Sequence, residues 1–262
     1  MATISLNIPG FAYTDTSIPI PKNDIIANDG TVDIFDALEP DVSWPKQADP
    51  EEGVDTWKSL IGSNTASFSG TVGWSDGFTI DAGADTINMP SSFKWAADGS
   101  GVAVIWIIIG TQAHTTGNGL IAWLGDNDAT AQISIWLEHG ASDAERFIKG
   151  FTPKTEATIM AAWRPTLPAN GLVQPAVSAQ PEGAGYRIKG FVNNALTYNT
   201  LRTGLTAMPT PTANLKLGGT RPGFTNAFTG KILRAAFDDL SETTAEEFVT
   251  LDYETHLARL TP

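Results

Sequence analysis

The segment from Tyr186 to Leu260 limits the possible folds of this chain more than any other part of it. Residues 185–192 alternate between apolar and polar side chains, as in a strand with one buried face. Asn193-Asn194 follows as a two-residue turn that accepts positive φ, and Leu196–Tyr198 returns as the next strand. This order predicts an antiparallel hairpin.

The remainder of the segment predicts one long strand and a closing helix. The strand is expected from Phe228 to Phe237. Two pairs of residues have capping-box spacing at the helix start, Thr243 with Glu246 and Thr244 with Glu247. Four apolar residues then form a helical stripe: Phe248, Leu251, Leu257 and Leu260.

Upstream, Val102–Ile109 is the strongest strand pattern in the chain. Its apolar run is uninterrupted, which predicts a central strand that is covered on both faces. The run is too short to cross a bilayer, and we expect no membrane insertion. Only 17% of the residues are charged, and the 25 Gly and 16 Pro suit many turns and short strands better than long helices.

Residues 1–60 differ from the rest of the chain because prolines and acidic residues interrupt the pattern. They are nevertheless rich in apolar side chains, including Trp44, and residues 31–35 have the pattern of one short strand. We therefore expect an extended N-terminal arm over 1–60 and a single domain over 61–262. A flexible tail is the alternative for the arm.

Several short motifs between residues 65 and 262 resemble a known family. They are Phe191-Val192-Asn193-Asn194, Leu215-Lys216-Leu217-Gly218-Gly219, Phe228-Thr229-Gly230-Lys231-Ile232, and Asp239-Leu240-Ser241 followed by Glu246-Glu247. Their order is similar to the C-terminal half of the concanavalin A-like, laminin G-like jelly-roll domains, although Asn194 replaces the usual turn glycine. The resemblance implies an all-β antiparallel β-sandwich jelly roll with an extended N-terminal arm and a short C-terminal helix.

The same family includes lectins, glycan-binding modules, glycosidases and many bacteriophage virion proteins. A domain of this kind behind a Pro-rich, acidic arm resembles phage tail, fibre or capsid-decoration proteins. The expectation is a non-enzymatic virion structural protein, made in the host cytoplasm without a signal peptide. Its partners would be other virion proteins, and it would form a homo-oligomer through the arm. The alternatives are a carbohydrate- or receptor-binding module of a tail fibre, which would bind a host surface glycan, and a glycan depolymerase.

Charge and cysteine content exclude several other classes. The formal net charge is −13, and no cluster of Lys and Arg is present, so a nucleic-acid partner is not expected. The chain has no cysteine, which excludes disulfides and thiolate zinc sites.

Catalytic patterns are also missing from the sequence. The Glu-x-Asp-x-x-Glu strand of the glycosidases in the resembled family is absent, and the nearest acidic pair, Asp143 with Glu145, falls in a polar loop. The three histidines, His114, His139 and His256, are not placed beside a nucleophile and are expected at the surface. No catalytic residue is therefore assigned.

The acidic turn Asp126-Asn127-Asp128 is the best candidate for a metal site. Clustered oxygen ligands in a loop suit Ca²⁺, and a plain turn is the competing interpretation. No other cofactor is expected.

A glycan site would need an exposed aromatic ring beside polar loop residues. Trp44, Trp74 and Tyr198 lie in or near predicted loops. Three other tryptophans lie in strand patterns and are expected in the core: Trp123, Trp136 and Trp163.

Overall fold

The computed structural model describes residues 26–110, 119–127, 130–139, 146–151, 171–220 and 228–260. Within these ranges the chain forms two antiparallel sheets and one helix. The strands are β1 (Thr31–Asp36), β2 (Thr56–Lys58), β3 (Thr65–Ser69), β4 (Gly73–Trp74), β5 (Phe78–Ile80), β6 (Thr86–Asn88), β7 (Gly101–Ile109), β8 (Gly119–Leu124), β9 (Ile133–His139), β10 (Arg146–Phe151), β11 (Leu172–Val173), β12 (Pro175–Glu182), β13 (Gly185–Val192), β14 (Ala195–Thr203), β15 (Lys216–Gly218) and β16 (Gly230–Asp238), and the helix is α1 (Ala245–Leu260).

The two sheets stack as a sandwich. Sheet A has nine strands in the order β14-β13-β12-β7-β16-β5-β4, with β1 paired to β16 and β11 paired to β7. Sheet B has seven strands in the order β10-β9-β8-β15-β6-β3-β2. The predicted fold class, an all-β antiparallel sandwich with a C-terminal helix, is confirmed.

Strand β7 lies in the middle of sheet A and is covered on both faces, as its apolar run predicts. Ala103, Ile105 and Ile107 belong to the hydrophobic cluster between the two sheets. Val102, Val104 and Trp106 point to the opposite face and belong to a second cluster, which includes apolar residues of α1. Alternate residues of one strand therefore serve two separate cores.

An aromatic cluster fills one end of the space between the sheets. Phe78 is fully buried and lies at its centre. Its ring centroid is 5.0 Å from that of Trp44, 5.0 Å from that of Trp57 and 4.8 Å from that of Phe68. These tilted and edge-on contacts stabilise the cluster beyond the burial of apolar area alone.

The described part of the segment predicted as an arm lies against the rest of this chain, one of the two places that an arm on its own domain or on a neighbouring subunit could take. β1 pairs with β16 along Thr31–Asp36, and Trp44 and Trp57 are buried between the sheets. Residues 26–60 are therefore part of the sandwich, because their apolar side chains find partners far along the chain. The first 25 residues of the predicted arm lie outside the described residues, and their anchoring role stays a prediction.

Helix α1 begins with the second of the two predicted capping boxes. The backbone N–H of Glu247 donates to the Thr244 hydroxyl at 3.2 Å, and the N–H of Thr244 donates to the Glu247 carboxylate at 3.1 Å. Phe248 of the predicted stripe is buried, but Leu251 is 46% exposed, so the prediction was wrong for Leu251. No helix among the described residues is long and apolar enough to span a membrane.

A buried charged network fastens α1 to the outer face of sheet A. Arg234 of β16 is fully buried and donates to Asp252 of α1 at 2.9 Å and to Asp36 of β1 at 3.0 Å. Asp252 also accepts from the Trp106 indole at 2.6 Å, and Asp36 pairs with Arg259 near the end of α1. Two buried carboxylates thus face two guanidinium groups, one buried and one partly exposed, which balances their charges.

His256 lies beside this network and not at the surface, which contradicts the prediction made for it. Its ring is 6% exposed, its Nδ1 is 3.0 Å from an Arg259 nitrogen, and its Nε2 is 3.7 Å from the Asp252 carboxylate. The side chains of His114 and His139 lie outside the described residues.

The hairpin turn at Asn193-Asn194 is confirmed. Both residues have positive φ, 50° and 58°, and the turn joins β13 to β14. The Asn193 carboxamide oxygen accepts from the backbone N–H of Gln174 at 2.9 Å, so its side chain also ties the turn to the start of β12.

Candidate functional site

Most aromatic rings in the described part of the chain are buried, which limits where a ligand could stack. Trp74 is the one described tryptophan whose side chain is not buried, and every phenylalanine whose burial the structure gives is buried. Tyr198 and Tyr253 are the described tyrosines that keep part of their surface accessible. Three partly accessible aromatic side chains are therefore the candidates for a binding surface: Trp74, Tyr198 and Tyr253.

Tyr253 and Tyr198 are weaker candidates than Trp74. Tyr253 lies flat on the buried Trp106, with ring centroids 5.5 Å apart and an interplanar angle of 10°, so one of its faces is occupied. Tyr198 lies on the edge strand β14 and packs against the core between the sheets. Trp44, a third candidate from the sequence, is 2% exposed and belongs to the core. Trp123 and Trp136 are buried, as predicted.

Trp74 occupies the end strand of sheet A, at the margin of the aromatic cluster. Its ring centroid is 5.2 Å from that of Phe78 in an edge-on contact and 6.1 Å from that of Trp44 in a tilted one. These contacts hold the indole against the core, and the residue stays partly accessible. A ring fixed in this way stacks on a ligand with little loss of side-chain entropy.

The loop before β2 supplies a carboxylate beside Trp74. An oxygen of the Asp49 carboxylate lies 2.6 Å from the backbone nitrogen of Trp74 and accepts a hydrogen bond from its N–H. The same loop is closed by Asp55, which accepts from the backbone N–H of Glu51 at 2.7 Å and pairs with Lys46. Both contacts favour the charged carboxylate and hold the pKa of Asp55 below its usual value.

The turn that joins β4 to β5 places more polar groups at the same edge. Ser75 and Asp76 are exposed, and Asp76 has a φ of 50°. Gly77 follows at φ 128°, where a Cβ would lie 2.4 Å from the Leu233 side chain, so only glycine fits. The Lys231 ammonium donates to the Ser75 carbonyl and fixes the turn to β16.

We call Asp49, Trp74, Ser75, Asp76 and Lys231 the Trp74 surface. It combines a partly exposed indole with carboxylate oxygens, a hydroxyl and an ammonium group, which are the groups that bind a sugar's apolar face and its hydroxyls. The sequence pointed to Trp74 and its turn. Asp49 and Lys231 were missed, because they come from segments far away in the chain and carry no local motif.

The predicted calcium ligands are used in contacts within the protein. One oxygen of Asp126 accepts from the backbone N–H of Ala213 at 2.7 Å, and the other accepts from that of Thr212 at 2.9 Å. The Asn127 carboxamide oxygen accepts from the backbone N–H of Thr130 at 3.2 Å. Asp128 lies outside the described residues. Asn127 thus stabilises its own turn, and Asp126 acts as a clamp that joins this turn to the loop at Thr212 and Ala213. The calcium site itself stays a prediction.

Loss of the Asp126 carboxylate is expected to loosen the contact between these two loops. Hydrogen bonds from the Thr212 and Ala213 amides hold the pKa of Asp126 below its usual value. The clamp is therefore present above the ordinary aspartate pKa of about 3.9 and is lost as the pH falls through the lower folded value. For Asp126→Ala, we expect faster hydrogen exchange of the Thr212 and Ala213 amides at pH 7. Unchanged exchange would contradict the clamp.

The described residues contain no group of three or more His, Asp or Glu side chains arranged to hold a metal ion. Asp143 and Glu145, the acidic pair found in the sequence, lie outside those residues.

Comparison with solved structures shows the fold. The chain is similar to domain 4 of AbnA, a GH43 extracellular arabinanase from Geobacillus stearothermophilus solved with arabinotriose, at 14% identity and a TM-score of 0.52 over 88% of this chain and 98% of that one. It is also similar to a Trypanosoma rangeli sialidase solved with 2,3-difluorosialic acid, at 10% identity and a TM-score of 0.57 over 92% of this chain. The match spans 36% of the sialidase chain.

A third similar structure is an arabinofuranosidase complexed with arabinofuranosyl-alpha-1,2-xylobiose, at 11% identity and a TM-score of 0.50, which covers 74% of this chain and 50% of that one. No protein-family model matches the chain, and no curated protein matches it significantly. At these identities the likeness establishes the fold alone, and the chain is an antiparallel β-sandwich of the kind found in these carbohydrate-active proteins.

Proposed function

We propose that this protein is a non-catalytic recognition module that binds a neutral oligosaccharide at the Trp74 surface. One observation carries the proposal: Trp74 is the single described tryptophan that is not buried, its backbone N–H is bonded to the exposed Asp49, and the exposed Asp76 follows it by two residues. A sugar ring stacks on an indole through its C–H face while carboxylates accept hydrogen bonds from its hydroxyls.

The charge of the surface favours a neutral ligand. Asp49 is bonded to the Trp74 backbone, Asp76 is exposed in the next turn, the Lys231 ammonium donates to that turn, and the whole chain carries a net charge of −13. A sugar that bears a carboxylate or sulfate would meet repulsion from these carboxylates and from the protein as a whole. The AbnA domain, whose structure holds the neutral arabinotriose, supports a sugar as ligand for this fold.

The absence of catalysis is part of the proposal. The five described buried carboxylates are occupied by partners within the protein. Asp36 and Asp252 pair with Arg234, and Asp33 accepts from Asn64 and Ser92. Asp85 accepts from the backbone N–H groups of Thr71 and Ala82, and Asp238 accepts from the Thr31 hydroxyl and the backbone N–H of Leu240. They lie out of reach of a polymer at the surface, and the Asp49 carboxylate of the Trp74 surface is bonded to the Trp74 backbone N–H, whereas hydrolysis of a glycosidic bond needs two available carboxyl groups that flank it. A reducing-end assay on any glycan that binds tests this point, and release of new ends would overturn it.

The family resemblance and the virion role remain finer expectations. A concanavalin A-like, laminin G-like module on a phage tail or capsid would use the same surface to hold a host glycan. The three structures named above are carbohydrate-active enzymes, so support for this placement comes from the resemblance in sequence style. Detection of the chain in purified particles by mass spectrometry would test it.

Replacement of Trp74 by Ala is expected to weaken glycan binding about tenfold or more, because the stacking face is lost. A glycan array with neutral and acidic oligosaccharides first identifies the ligand, and titration calorimetry then compares the wild type with Trp74→Ala. Thermal unfolding of both proteins is measured in parallel, because Trp74 also contacts Phe78 and Trp44.

Two further variants distinguish a loss of glycan binding at the Trp74 surface from a loss of folding or from binding at another site. Asp76→Asn keeps the shape of an exposed side chain and should weaken binding without changing stability. Tyr198→Ala removes another accessible ring and is the matched control that should leave affinity unchanged. Loss of binding in Tyr198→Ala but not in Trp74→Ala would place the site elsewhere, and no binding to any array glycan would reject the function.

A further inference from the structure

The hairpin that carries Trp74 is a small element at one end of sheet A. Its first strand, β4, has two residues, and β5 is its partner in the strand order of that sheet. Trp74 pairs with Phe78 across the hairpin, and the turn between them belongs to the Trp74 surface. A strand pair this short contributes little stability of its own. The position of Trp74 therefore depends on what holds the two ends of the hairpin.

One buried carboxylate holds both of those ends. Asp85 is 1% exposed. Its Oδ1 accepts from the backbone N–H of Thr71, before β4, at 2.8 Å, and its Oδ2 accepts from that of Ala82, after β5, at 2.9 Å. The backbone N–H of Asp81 also donates to Oδ2, at 3.3 Å. Asp85 therefore joins the segment that enters the hairpin to the segment that leaves it.

The backbone around this contact permits a close approach. Gly70 has a φ of 81°, and a Cβ there would lie 2.5 Å from the Ala84 carbonyl oxygen and 2.8 Å from the Asp85 Oδ1. Only glycine therefore brings the loop before β4 this close to the carboxylate. Val72, between Thr71 and β4, is 3% exposed and belongs to the core between the sheets. One hydrogen bond, one core side chain and one strand pairing thus connect Asp85 to the Trp74 strand.

A second carboxyl group faces Asp85. The side chain of Asp81 is hydrogen-bonded to the Asp85 carboxylate, and this contact raises the pKa of Asp81. Burial alone would raise the pKa of Asp85, but hydrogen bonds from the Thr71 N–H, the Asp81 side chain and the nearby backbone hold that pKa below its usual value. The glycines that lie against Asp85, Gly70 and Gly218, carry no charge. Within the described part of the chain, Asp81 is thus the titratable group that faces Asp85.

We propose that Asp85 is a positioning residue of the Trp74 surface, which closes the base of the β4–β5 hairpin and so fixes how Trp74 meets a ligand. The inference rests on the proposed function and names the group that holds the same site in place. Hydrogen bonds to a carboxylate are stronger than those to a neutral acceptor. Loss of the Asp85 charge therefore loosens both ends of the hairpin.

The two carboxyl groups give this hold a dependence on pH. The contribution of Asp85 is complete above the ordinary aspartate pKa of about 3.9, and it is lost as the pH falls through the lower folded value. The contribution of Asp81 is complete below about 3.9, and it is lost as the pH rises through the raised folded value. The base of the hairpin is therefore held most firmly near about pH 4.

Fluorine NMR of protein labelled with 5-fluorotryptophan tests the inference without a ligand. The chain has eight tryptophans, and comparison with the spectrum of Trp74→Phe assigns the Trp74 signal. At pH 7, Asp85→Ala should shift or broaden that signal, and hydrogen exchange of the Thr71 and Ala82 amides should become about tenfold faster or more. An unchanged Trp74 signal in folded Asp85→Ala would overturn the proposal.

The matched control is Asp126→Ala. Asp126 also accepts from two backbone amides, but it joins loops next to β8 and β15 of sheet B. Its replacement should leave the Trp74 signal unchanged. If Asp126→Ala changed that signal as much as Asp85→Ala does, the effect would be a general loosening of the fold, and the positioning role would be rejected.

A pH titration of the wild type gives a second test, which does not require Asp85→Ala to fold. The Trp74 signal should change in two steps, with Asp81 titrating above about pH 3.9 and Asp85 below it. Asp81→Asn should remove the upper step, because its amide does not titrate and still donates to Asp85. A Trp74 signal that changes only together with the signals of all other tryptophans would report global unfolding and contradict the proposal.

Failure of this inference and failure of the proposed function give different results. A Trp74 signal that depends on Asp85, in a protein that binds no glycan on the array, would support the positioning role and reject the function. Glycan binding that is lost in Trp74→Ala but kept in Asp85→Ala, with an unchanged Trp74 signal, would support the function and overturn the positioning role.

Discussion

Replacement of Arg234 by Met is expected to destabilise the fold by about 3–5 kcal/mol. Arg234 is fully buried and bridges Asp36 and Asp252, so its loss leaves two buried carboxylates with less compensation. Arg259 still pairs with Asp36, which leaves Asp252 as the more affected group. Urea unfolding followed by tryptophan fluorescence measures the change in free energy.

Two further variants show whether the loss of stability comes from the buried network. Arg187→Met removes an arginine whose pairing with Glu182 is at the surface, and it should change stability little. The double variant Arg234→Met with Asp252→Asn removes the uncompensated charge and should recover part of the loss. If Arg234→Met cost no more than Arg187→Met, the network would not hold α1 to the sheet.

Replacement of Phe78 by Ala is the second large effect, at about 3–5 kcal/mol. The side chain is fully buried and contacts four aromatic rings, so a cavity remains that these rings cannot readily fill. The measurement is the urea midpoint at constant m-value. Leu251→Ala, at a position 46% exposed on α1, is the control, and it should cost less than about 0.5 kcal/mol.

The same site tests whether residue 44 belongs to the core. Phe78→Leu and Trp44→Leu, made singly and together, form a double-mutant cycle. The edge-on contact between the two rings should appear as a coupling of about 0.5–1.5 kcal/mol. Purely additive effects would contradict a stabilising contact between the two rings.

Local patterns predicted the parts of the fold that local physics decides. Val102–Ile109 is apolar at every position because both faces of β7 are covered, one by sheet B and the other by α1. Asn193-Asn194 predicted its turn because few residues accept positive φ at two successive positions. Thr244 and Glu247 supplied both halves of a capping box, and the helix begins there.

The same local patterns could not predict which distant strands and side chains pair with one another. β1 has the pattern of a short strand inside a Pro-rich segment, and no feature of its residues predicts that it pairs with β16. His256 looked like a surface residue because its neighbours Asp252 and Arg259 lie about one turn away on the same helix. Its burial comes from the packing of that helix face on sheet A, where Asp36 and Arg234 lie far away in the chain. For the site, the partial exposure of Trp74 depends on how far the aromatic cluster covers it, which only the packed structure shows.

The network under α1 also sets an order of events during synthesis. Asp36 lies 198 residues before Arg234 and 223 before Arg259. The negative charge of Asp36 in β1 is therefore compensated only after β16 and α1 have been synthesised. A nascent chain that ends before β16 would expose the edge of β7 and the apolar outer face of sheet A. Closure of the sandwich is therefore a late step after translation of α1, and ribosome-bound chains halted before residue 230 should remain sensitive to protease across residues 31–60.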